Sequence, residues 1–366
     1  MPELLFPLFL PWIWSAARTR YRAGCIILLT YLVAAREEPW AVRRVLPELG
    51  PGAGPVLWVV HATSLALPWM LAWVPPQQSR AVRLLALLAI LALEVAPPLG
   101  RWGWLHPLTL SGWLFPGWRA WGMLAMIGVV LALGLRSRWG LLGAIALSVC
   151  SNACYVPRAL PEGWVGLDTR LSRLPNDLQS RMARQYHLMQ DIGHVLDIQA
   201  APPAVIVLPE EIAGPWTPAE RYWWQPMLER LQATGTTLVL GAQYPDAGAW
   251  RNGALLTGDE HPSWQLARQP IPVAEWKPPA GALVDWGTGM ATVKGKQVLF
   301  SFCFEDLLTL PILVTWLEGG SPEVMVSIAN LWWATHLHEP DIQRLSITGW
   351  GRLWNAPVLR AVNLPD

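Results

Sequence analysis

Long apolar stretches dominate the sequence up to Pro157, and shorter apolar runs separated by polar segments fill the remainder. The apolar stretches predict membrane helices, with candidate spans at 4–17, 23–36, 55–75, 83–99, 103–116, 118–136 and 140–156. Of these, 55–75 and 118–136 clearly reach the roughly 20 residues that a spanning helix needs. The pattern predicts five to seven spans in a transmembrane helical domain over residues 1–157.

Past Pro157 the apolar runs become short and alternate with helical periodicity, which is typical of an α/β layered domain. We predict such a domain over 158–366. The predicted helices are 171–196, with Pro175 near its true start, 217–233, and 307–317. The predicted strands are 205–208, 237–240, 253–256 and 324–328, with a turn at 244–248 and a hairpin at 292–299 that turns at 294–296. Thr217, Pro218 and Glu220 have the spacing of a helix N-terminus with a capping box.

Composition agrees with a partly membrane-embedded chain. Of the 366 residues, 53% are hydrophobic and 14% are charged, whereas soluble domains carry about a quarter charged residues. No Lys or Asp precedes Arg158, and tryptophans crowd the ends of the candidate spans, as in an interfacial belt. The net charge is +1 without a basic patch, so direct nucleic-acid binding is not expected.

Charged groups in the apolar half do not fix the orientation of its spans in the membrane. Arginines divide evenly between the two sides of a seven-span arrangement, so the positive-inside rule does not orient it. Met1–Trp14 lacks a positive segment before its apolar run, which indicates a retained helix and not a signal peptide. Glu94 near the end of a span is a candidate intramembrane carboxylate, although nearby Pro97 and Arg101 favour an interfacial position.

Two short apolar strands end in chemically reactive groups. Val298–Asp306 (VLFSFCFED) places Cys303 at a strand exit, followed by Glu305 and Asp306, and Val205–Glu211 (VIVLPEE) places Glu210 at another. A carboxylate base and a cysteine are what acyl transfer through a thioester requires. A buried structural thiol is the ordinary alternative for any single cysteine.

These motifs resemble the carbon–nitrogen hydrolase (nitrilase) superfamily, whose triad is Glu, Lys and Cys. The resemblance implies an α-β-β-α sandwich with Glu210 as base, Cys303 as nucleophile and Glu305 as the acidic group beyond it. The same resemblance places Asn330 and Trp333, in S-I-A-N-L-W-W, over the pocket. Our hypothesis for the reaction adds the backbone N–H of Phe304, next to the nucleophile, as a donor to the oxyanion. Residues 356–363 (APVLRAVN) resemble the family's late strand, and no cofactor or metal is implied.

The segment that should carry the family lysine departs from the pattern. Residues 267–275 read ARQPIPVAE, so Glu275 matches while Ala267 stands where lysine is expected. Arg268 is the nearest cation, and it can stabilise an oxyanion but cannot shuttle protons. The family also continues past the "R-x-x-N" strand, so we expect a domain short at its C-terminus. His336 and His338 could suggest a metal pair, but a third ligand is not evident nearby.

A helical membrane half fused to a nitrilase-like half resembles the apolipoprotein N-acyltransferases and, most closely, the TraB family of conjugal-transfer proteins. This resemblance implies a multi-pass protein of the bacterial inner membrane with a periplasmic α/β domain. Its partners would be the lipid bilayer, a phospholipid acyl donor, a protein or peptide acceptor and conjugation-apparatus proteins. Two hypotheses stay open: a cysteine acyltransferase or amidase, and a non-catalytic membrane component that retains the fold.

Overall fold

The computed structural model describes residues 5–198, 201–246, 249–258, 262–277, 280–281 and 284–364. The chain folds into two compact units. The helical unit contains residues 1–157, 307–316 and 337–355, and the α/β unit contains 158–306, 317–336 and 356–366. One junction between the units coincides with the predicted boundary after Pro157, while the assignment of domains stays a prediction.

The helical unit begins with eight described helices in sequence. They are α1 (Phe6–Ala16), α2 (Arg20–Ala34), α3 (Glu38–Val45), α4 (Ala53–Leu71), α5 (Arg80–Val95), α6 (Ser111–Leu114), α7 (Ala120–Gly134) and α8 (Arg138–Cys154). Its core is formed by apolar residues of α1, α2, α4 and α5, with Trp14 and Trp69 fully buried. Among the described residues one helix, α4, is long and apolar enough to cross a membrane.

The candidate span at 103–116 is wrong as a helix prediction. The segment forms a short 3₁₀ turn at Pro107–Leu110 and the single-turn helix α6. Pro107 and Pro116 lack the N–H that a continuous helix needs, and Gly103 and Gly112 add backbone freedom, so a long helix is not favoured here.

Two later helices also belong to the helical unit: α11 (Thr309–Leu317) over most of its length, and α12 (Glu339–Trp354). Helix α12 approaches α6 closely, because a Cβ placed on Gly112 would lie 1.7 Å from the carbonyl oxygen of Gly349. Arg352 of α12 donates to the Gly112 carbonyl and lies over the rings of Trp113 and Tyr155, at 5.1 and 4.8 Å. Glycines at this crossing therefore permit backbone contact.

The α/β unit contains two main sheets with helices between their strands in sequence. Its elements are β1 (Trp164–Gly166), α9 (Leu178–Ile198), β2 (Val205–Val207), α10 (Pro218–Thr234), β3 (Thr237–Asp246), β4 (Ala249–Thr257), β5 (Ser263–Leu266), β6 (Trp276–Lys277), β7 (Ala280–Gly281), β8 (Met290–Val293), β9 (Lys296–Phe302), β10 (Val324–Asn330) and β11 (Val358–Asn363). One sheet has the order β1-β2-β3-β4-β5 and the other β11-β10-β9-β8, with β6 and β7 as a separate pair.

The inner faces of the two sheets pack against each other through branched and aromatic side chains. Val205, Val207 and Val239 of the first sheet share one buried cluster with Phe300 and Val326 of the second. The outer face of the first sheet packs on α9 and α10, where Trp224 is fully buried. Mixed sheets layered with helices agree with the predicted α/β class.

Most predicted elements of this unit are confirmed. Helix α9 begins three residues after Pro175, and α10 has the predicted capping box of Thr217 and Glu220. The predicted turn at 244–248 is wrong over Tyr244–Asp246, which continue β3 and pair with β4. Residues 247–248 lie outside the described chain. The long pairing with β4 outweighs the turn preference of Pro245 and Asp246.

Candidate active site

Strands β2 and β9, from the two facing sheets, bring Glu210 and Cys303 together. Both side chains are 5% exposed, and the thiol of Cys303 is hydrogen-bonded to the Glu210 carboxyl. Cys303 directly follows β9, and Glu210 lies three residues beyond the end of β2. A carboxylate in contact with a buried thiol can accept its proton, which is the first requirement of a cysteine nucleophile.

The backbone at this site is in an uncommon conformation. Cys303 has φ +41°, and Glu211, next to the candidate base, has φ +58°. Left-handed backbone is unfavourable for residues with a Cβ, and such strain clusters at functional sites. The 3₁₀ turn Cys303–Leu307 follows the strand and holds Phe304, which is half-buried, with its backbone beside the nucleophile.

Asp306 anchors this turn to the sheet. Its carboxylate accepts hydrogen bonds from Ser301 of β9 at 2.5 Å and Ser327 of β10 at 2.7 Å. The two serines are register partners on neighbouring strands. Burial raises the pKa of Asp306 to about 6, against the opposing effect of Arg360. We infer that the nucleophile's turn is fixed by Asp306.

Glu275 lies in the same cluster of buried carboxyl groups, joined to Glu210 by Asn252. The Asn252 amide donates to Glu275 Oε1 at 2.6 Å and to Glu210 Oε1 at 3.3 Å. Burial, together with the charges of Glu275 and Glu211, raises the pKa of Glu210 well above its usual value. Burial also raises the pKa of Glu275 to about 7, although the N–H of Ile271 donates to Glu275 at 2.9 Å.

Glu305 is held by backbone donors and by Arg268. It accepts the N–H groups of Gln269, at 2.8 Å, and of Arg268, and its Oε2 lies 3.5 Å from Arg268 Nη2. The guanidinium also donates to the carbonyl oxygens of Thr288 and Phe300. Burial raises the pKa of Glu305, and the positive charge of Arg268 opposes this rise. Arg268 is thus engaged with Glu305.

The other predicted positions lie around this cluster. Asn330 ends β10, is hydrogen-bonded to Glu211 and accepts from Asn363 at 2.8 Å. Trp333 is half-buried in the segment after β10. Ala267 is 4% exposed and packs in the apolar cluster between the sheets. The side chain of Lys277 is outside the described part, whereas Lys296 pairs with Glu323 at 3.2 Å.

Sequence reasoning missed Asn252, Glu211 and the role of Asp306. Glu211 was visible as the second carboxylate of "P-E-E", and its hydrogen bonds come from Gln243 and Asn330. Asn252 gave no signal, because a polar residue inside β4 can only be assigned to the site once the pairing of strands is known. Within the described residues, His, Cys, Asp and Glu do not form a group of three or more suited to a metal ion.

Comparison with known proteins gives relatives over nearly the whole chain. A "Probable conjugal transfer protein TraB" of Sinorhizobium fredii is 30% identical over 376 residues, covering 98% of this chain and 93% of the relative. A "Conjugal transfer protein TraB" of Agrobacterium fabrum is 30% identical over 384 residues, covering 98% and 86%. No protein-family model matches the chain.

Solved structures with partial similarity include amidases. An amidase from Nesterenkonia superposes with a TM-score of 0.36 at 11% identity, over 54% of this chain and 74% of the amidase. XC1258 from Xanthomonas campestris, described as a CN-hydrolase superfamily protein, has a TM-score of 0.31 at 12% identity, over 45% and 63%.

Proposed function

Because the chain belongs to the TraB family of conjugal transfer proteins, we propose that it serves conjugal transfer as a membrane-bound, nitrilase-like cysteine acyltransferase or amidase. The observation that carries this proposal is the hydrogen bond between Cys303 and Glu210 at the ends of two strands from facing sheets. Left-handed backbone at Cys303 supports it, as do the three further carboxyl groups around Glu210, which are those of Glu211, Glu275 and Glu305.

In the proposed reaction Glu210 takes the proton of the Cys303 thiol. The thiolate attacks an ester or amide carbonyl, and the Phe304 N–H and Arg268 stabilise the oxyanion. The carbon–oxygen or carbon–nitrogen bond then breaks, and the leaving group receives the proton from Glu210. An amine or water attacks the resulting thioester, losing a proton to Glu210, and the thiolate of Cys303 leaves and is reprotonated.

The absence of lysine at Ala267 changes which groups can exchange protons. A guanidinium does not serve as a proton donor or acceptor in such a reaction, and that of Arg268 is paired with Glu305. Glu275 is better suited to proton exchange near neutral pH, because its pKa is raised to about 7. We assign Glu275 this role beside Glu210, and Glu305 the role of holding Arg268.

We further propose that the helical unit is embedded in the bacterial inner membrane as a multi-pass domain, with the α/β unit in the periplasm. Helix α4 has 19 residues, and α2, α5, α7 and α8 have 15, 16, 15 and 17. Large apolar side chains are exposed along their faces: Ile26, Leu29, Val33, Val56, Val60, Leu85, Leu93, Leu142, Ile145 and Val149. Exposed apolar faces of this extent favour contact with lipid.

In this setting the acyl donor would be a phospholipid and the acceptor a protein or peptide. Proteins of the conjugation apparatus are the proposed further partners. The alternative function is a non-catalytic membrane component of that apparatus, and Ala267 favours it, since its side chain belongs to the core between the sheets and supplies no charge.

The test is the intact mass of the protein purified from its native membrane, compared with Cys303→Ala and Arg268→Ala. A hydroxylamine-labile acyl mass on the wild type that is missing in Cys303→Ala would support the thioester. Cys154→Ala is the matched control, because that thiol is exposed on α8. An unmodified Cys303 that also resists acyl probes would favour the non-catalytic alternative, and an acylated Cys303→Ala protein would exclude the proposed nucleophile.

A further inference from the structure

A buried polar cluster in the helical unit lies outside the proposed reaction. Glu94 of α5 is 4% exposed, and its Oε1 accepts hydrogen bonds from Tyr31 of α2 at 2.7 Å and Trp69 of α4 at 2.6 Å. His106, which caps the 3₁₀ turn Pro107–Leu110, is 3% exposed. The carboxylate therefore lies where three helices and this turn meet.

Glu94 Oε2 has no hydrogen-bond partner within the described part of the chain. His106 Nε2 faces it at 4.0 Å, and the N–H of the ring is shared with the backbone carbonyl of Leu91. This separation is too long for a direct hydrogen bond. A single water molecule in contact with both atoms could donate to Glu94 Oε2 and accept from the N–H of His106. Buried polar atoms without partners commonly indicate such a water.

The hydrogen bond at the other ring nitrogen determines where an added proton goes. His106 Nδ1 accepts from the N–H of Leu108 at 3.2 Å, so the neutral ring carries its proton on Nε2. Protonating Nδ1 would place two N–H groups against each other. A proton entering the cluster is therefore taken by Glu94 Oε2.

We propose that Glu94 and His106, with one water molecule between them, form a proton-binding site inside the helical unit. In the uptake step the water gives one of its protons to Glu94 Oε2 and accepts a proton from solvent hydronium in exchange, so that the carboxylate becomes neutral and the water is restored. Protonation removes a charge that is costly to bury among apolar helices. Ionisable groups inside membrane helices are commonly functional.

The titratable and charged side chains on the elements around Glu94 are the following. Tyr31 and His106 are the titratable side chains at Glu94. Arg83, also of α5, donates to the carbonyl of Gly134, and Arg136 after α7 donates to Ser15. Arg101 ends a separate 3₁₀ turn, Leu99–Arg101, that directly follows α5.

A second Glu–His pair, between helices α3 and α4, serves as a matched control. Glu38 and His61 are in direct contact, and their side chains are 23% and 15% exposed. His61 Nε2 also has a partner, the Trp102 carbonyl at 3.1 Å. The Glu38–His61 pair therefore contains the same two residue types as the Glu94–His106 pair, but its side chains are in direct contact and are only partly buried.

The probe is dicyclohexylcarbodiimide, an apolar reagent that modifies protonated carboxyl groups. The full-length protein in lipid nanodiscs is treated between about pH 5 and 9, and modified peptides are quantified by mass spectrometry. We expect modification of Glu94 that falls as pH rises, with little modification of Glu38. His106→Asn keeps an acceptor for the Leu108 N–H and removes the ring nitrogen that stabilises the ionised form. This variant should move the midpoint upward by about one pH unit.

Infrared difference spectra between acid and alkaline pH cover the case in which the reagent cannot reach the cluster. A band of a protonated carboxyl that is missing in Glu94→Gln would support the site. Absence of that band together with absence of labelling would overturn the proposal, as would labelling of Glu94 that does not depend on pH. An unchanged midpoint in His106→Asn would exclude the bridging arrangement.

Discussion

Buried carboxyl groups occur in both units, but the two units satisfy them differently. In the α/β unit Glu305 receives two backbone N–H groups and the guanidinium of Arg268. In the helical unit Glu94 accepts hydrogen bonds from the side chains of Tyr31 and Trp69, and both donors reach the same oxygen. Loop segments beside strand ends offer free backbone donors, whereas helices use theirs internally. A carboxylate can therefore stay ionised at the sheet edge more readily than among the helices.

The largest expected effect on stability comes from removing Arg268, the cation that pairs with Glu305. Arg268→Ala leaves a carboxylate that is 1% exposed without its ion-pair partner. Such a loss lowers the free energy of unfolding by about 3–5 kcal/mol, as measured by denaturant unfolding in detergent.

Arg230→Ala is the control for that variant. Arg230 pairs with Asp197 at the surface, where the two side chains are 40% and 67% exposed, so we expect a loss below about 1 kcal/mol. Equal losses in the two variants would mean that Glu305 holds a proton, as we propose for Glu94.

A pH dependence of stability tests Asp306. Its pKa is raised by burial to about 6 in the folded state, above the roughly 3.9 of an unfolded chain. The folded state therefore binds this proton more tightly, and the stabilisation is complete below about pH 4 and is lost as pH rises through about 6. The contribution changes by roughly 3 kcal/mol over this window.

Asp306→Asn should flatten the decline in unfolding free energy between about pH 4 and pH 7 by that amount. Asp341→Asn, at an exposed position of α12, should leave the decline as it is. Parallel curves for Asp306→Asn and the wild type would contradict the raised pKa.

A smaller effect concerns the coupling of Glu210 and Glu275 through Asn252. Alkylation of Cys303 by iodoacetamide, read on its own peptide because Cys25, Cys150 and Cys154 are exposed, should lose rate on the acid side as Glu210 is protonated. Glu275→Gln removes a charge that raises the pKa of Glu210, so the acid limb moves to lower pH. Asn252→Ala removes a donor and moves it to higher pH, by about one unit in each case.

Gln225→Ala serves as the control for Asn252→Ala, because its amide donates to the exposed carboxylate of Glu229 at 2.9 Å. It should leave the acid limb of Cys303 alkylation unchanged. If Asn252→Ala also leaves the limb unchanged, Asn252 has a packing role and does not tune Glu210.

Much of the α/β unit could be predicted because local signals agree with its tertiary structure. Apolar runs ending in Glu210 and Cys303 became β2 and β9 with both residues just beyond their ends, and Thr217 capped α10 as its spacing indicated. The turn predicted at Tyr244–Asp246 was wrong because the long antiparallel pairing of β3 with β4 outweighed the local turn preference.

The site was predictable only where its residues lie at strand ends in recognisable order. Asn252 reaches Glu210 and Glu275 across strand pairings that no local pattern encodes. Arg268 was foreseen as the nearest cation, but its ion pair with Glu305 depends on how the 268–269 backbone meets the turn after β9. In the helical half, apolar composition alone predicted a long helix at 103–116, where the chain forms only short turns. Composition does not show that prolines and glycines interrupt a helix there.

The contact between Gly112 and Gly349 has a consequence for how the gene can be divided. These residues lie far apart in sequence, yet both belong to the helical unit, where α6 and α12 leave no room for a Cβ at Gly112. A fragment starting at residue 158 would carry α12 without the glycine it packs on. Recombination that exchanges the N-terminal helices between relatives would therefore have to carry a compatible α12 with them, so the two halves of the gene are constrained to diverge together.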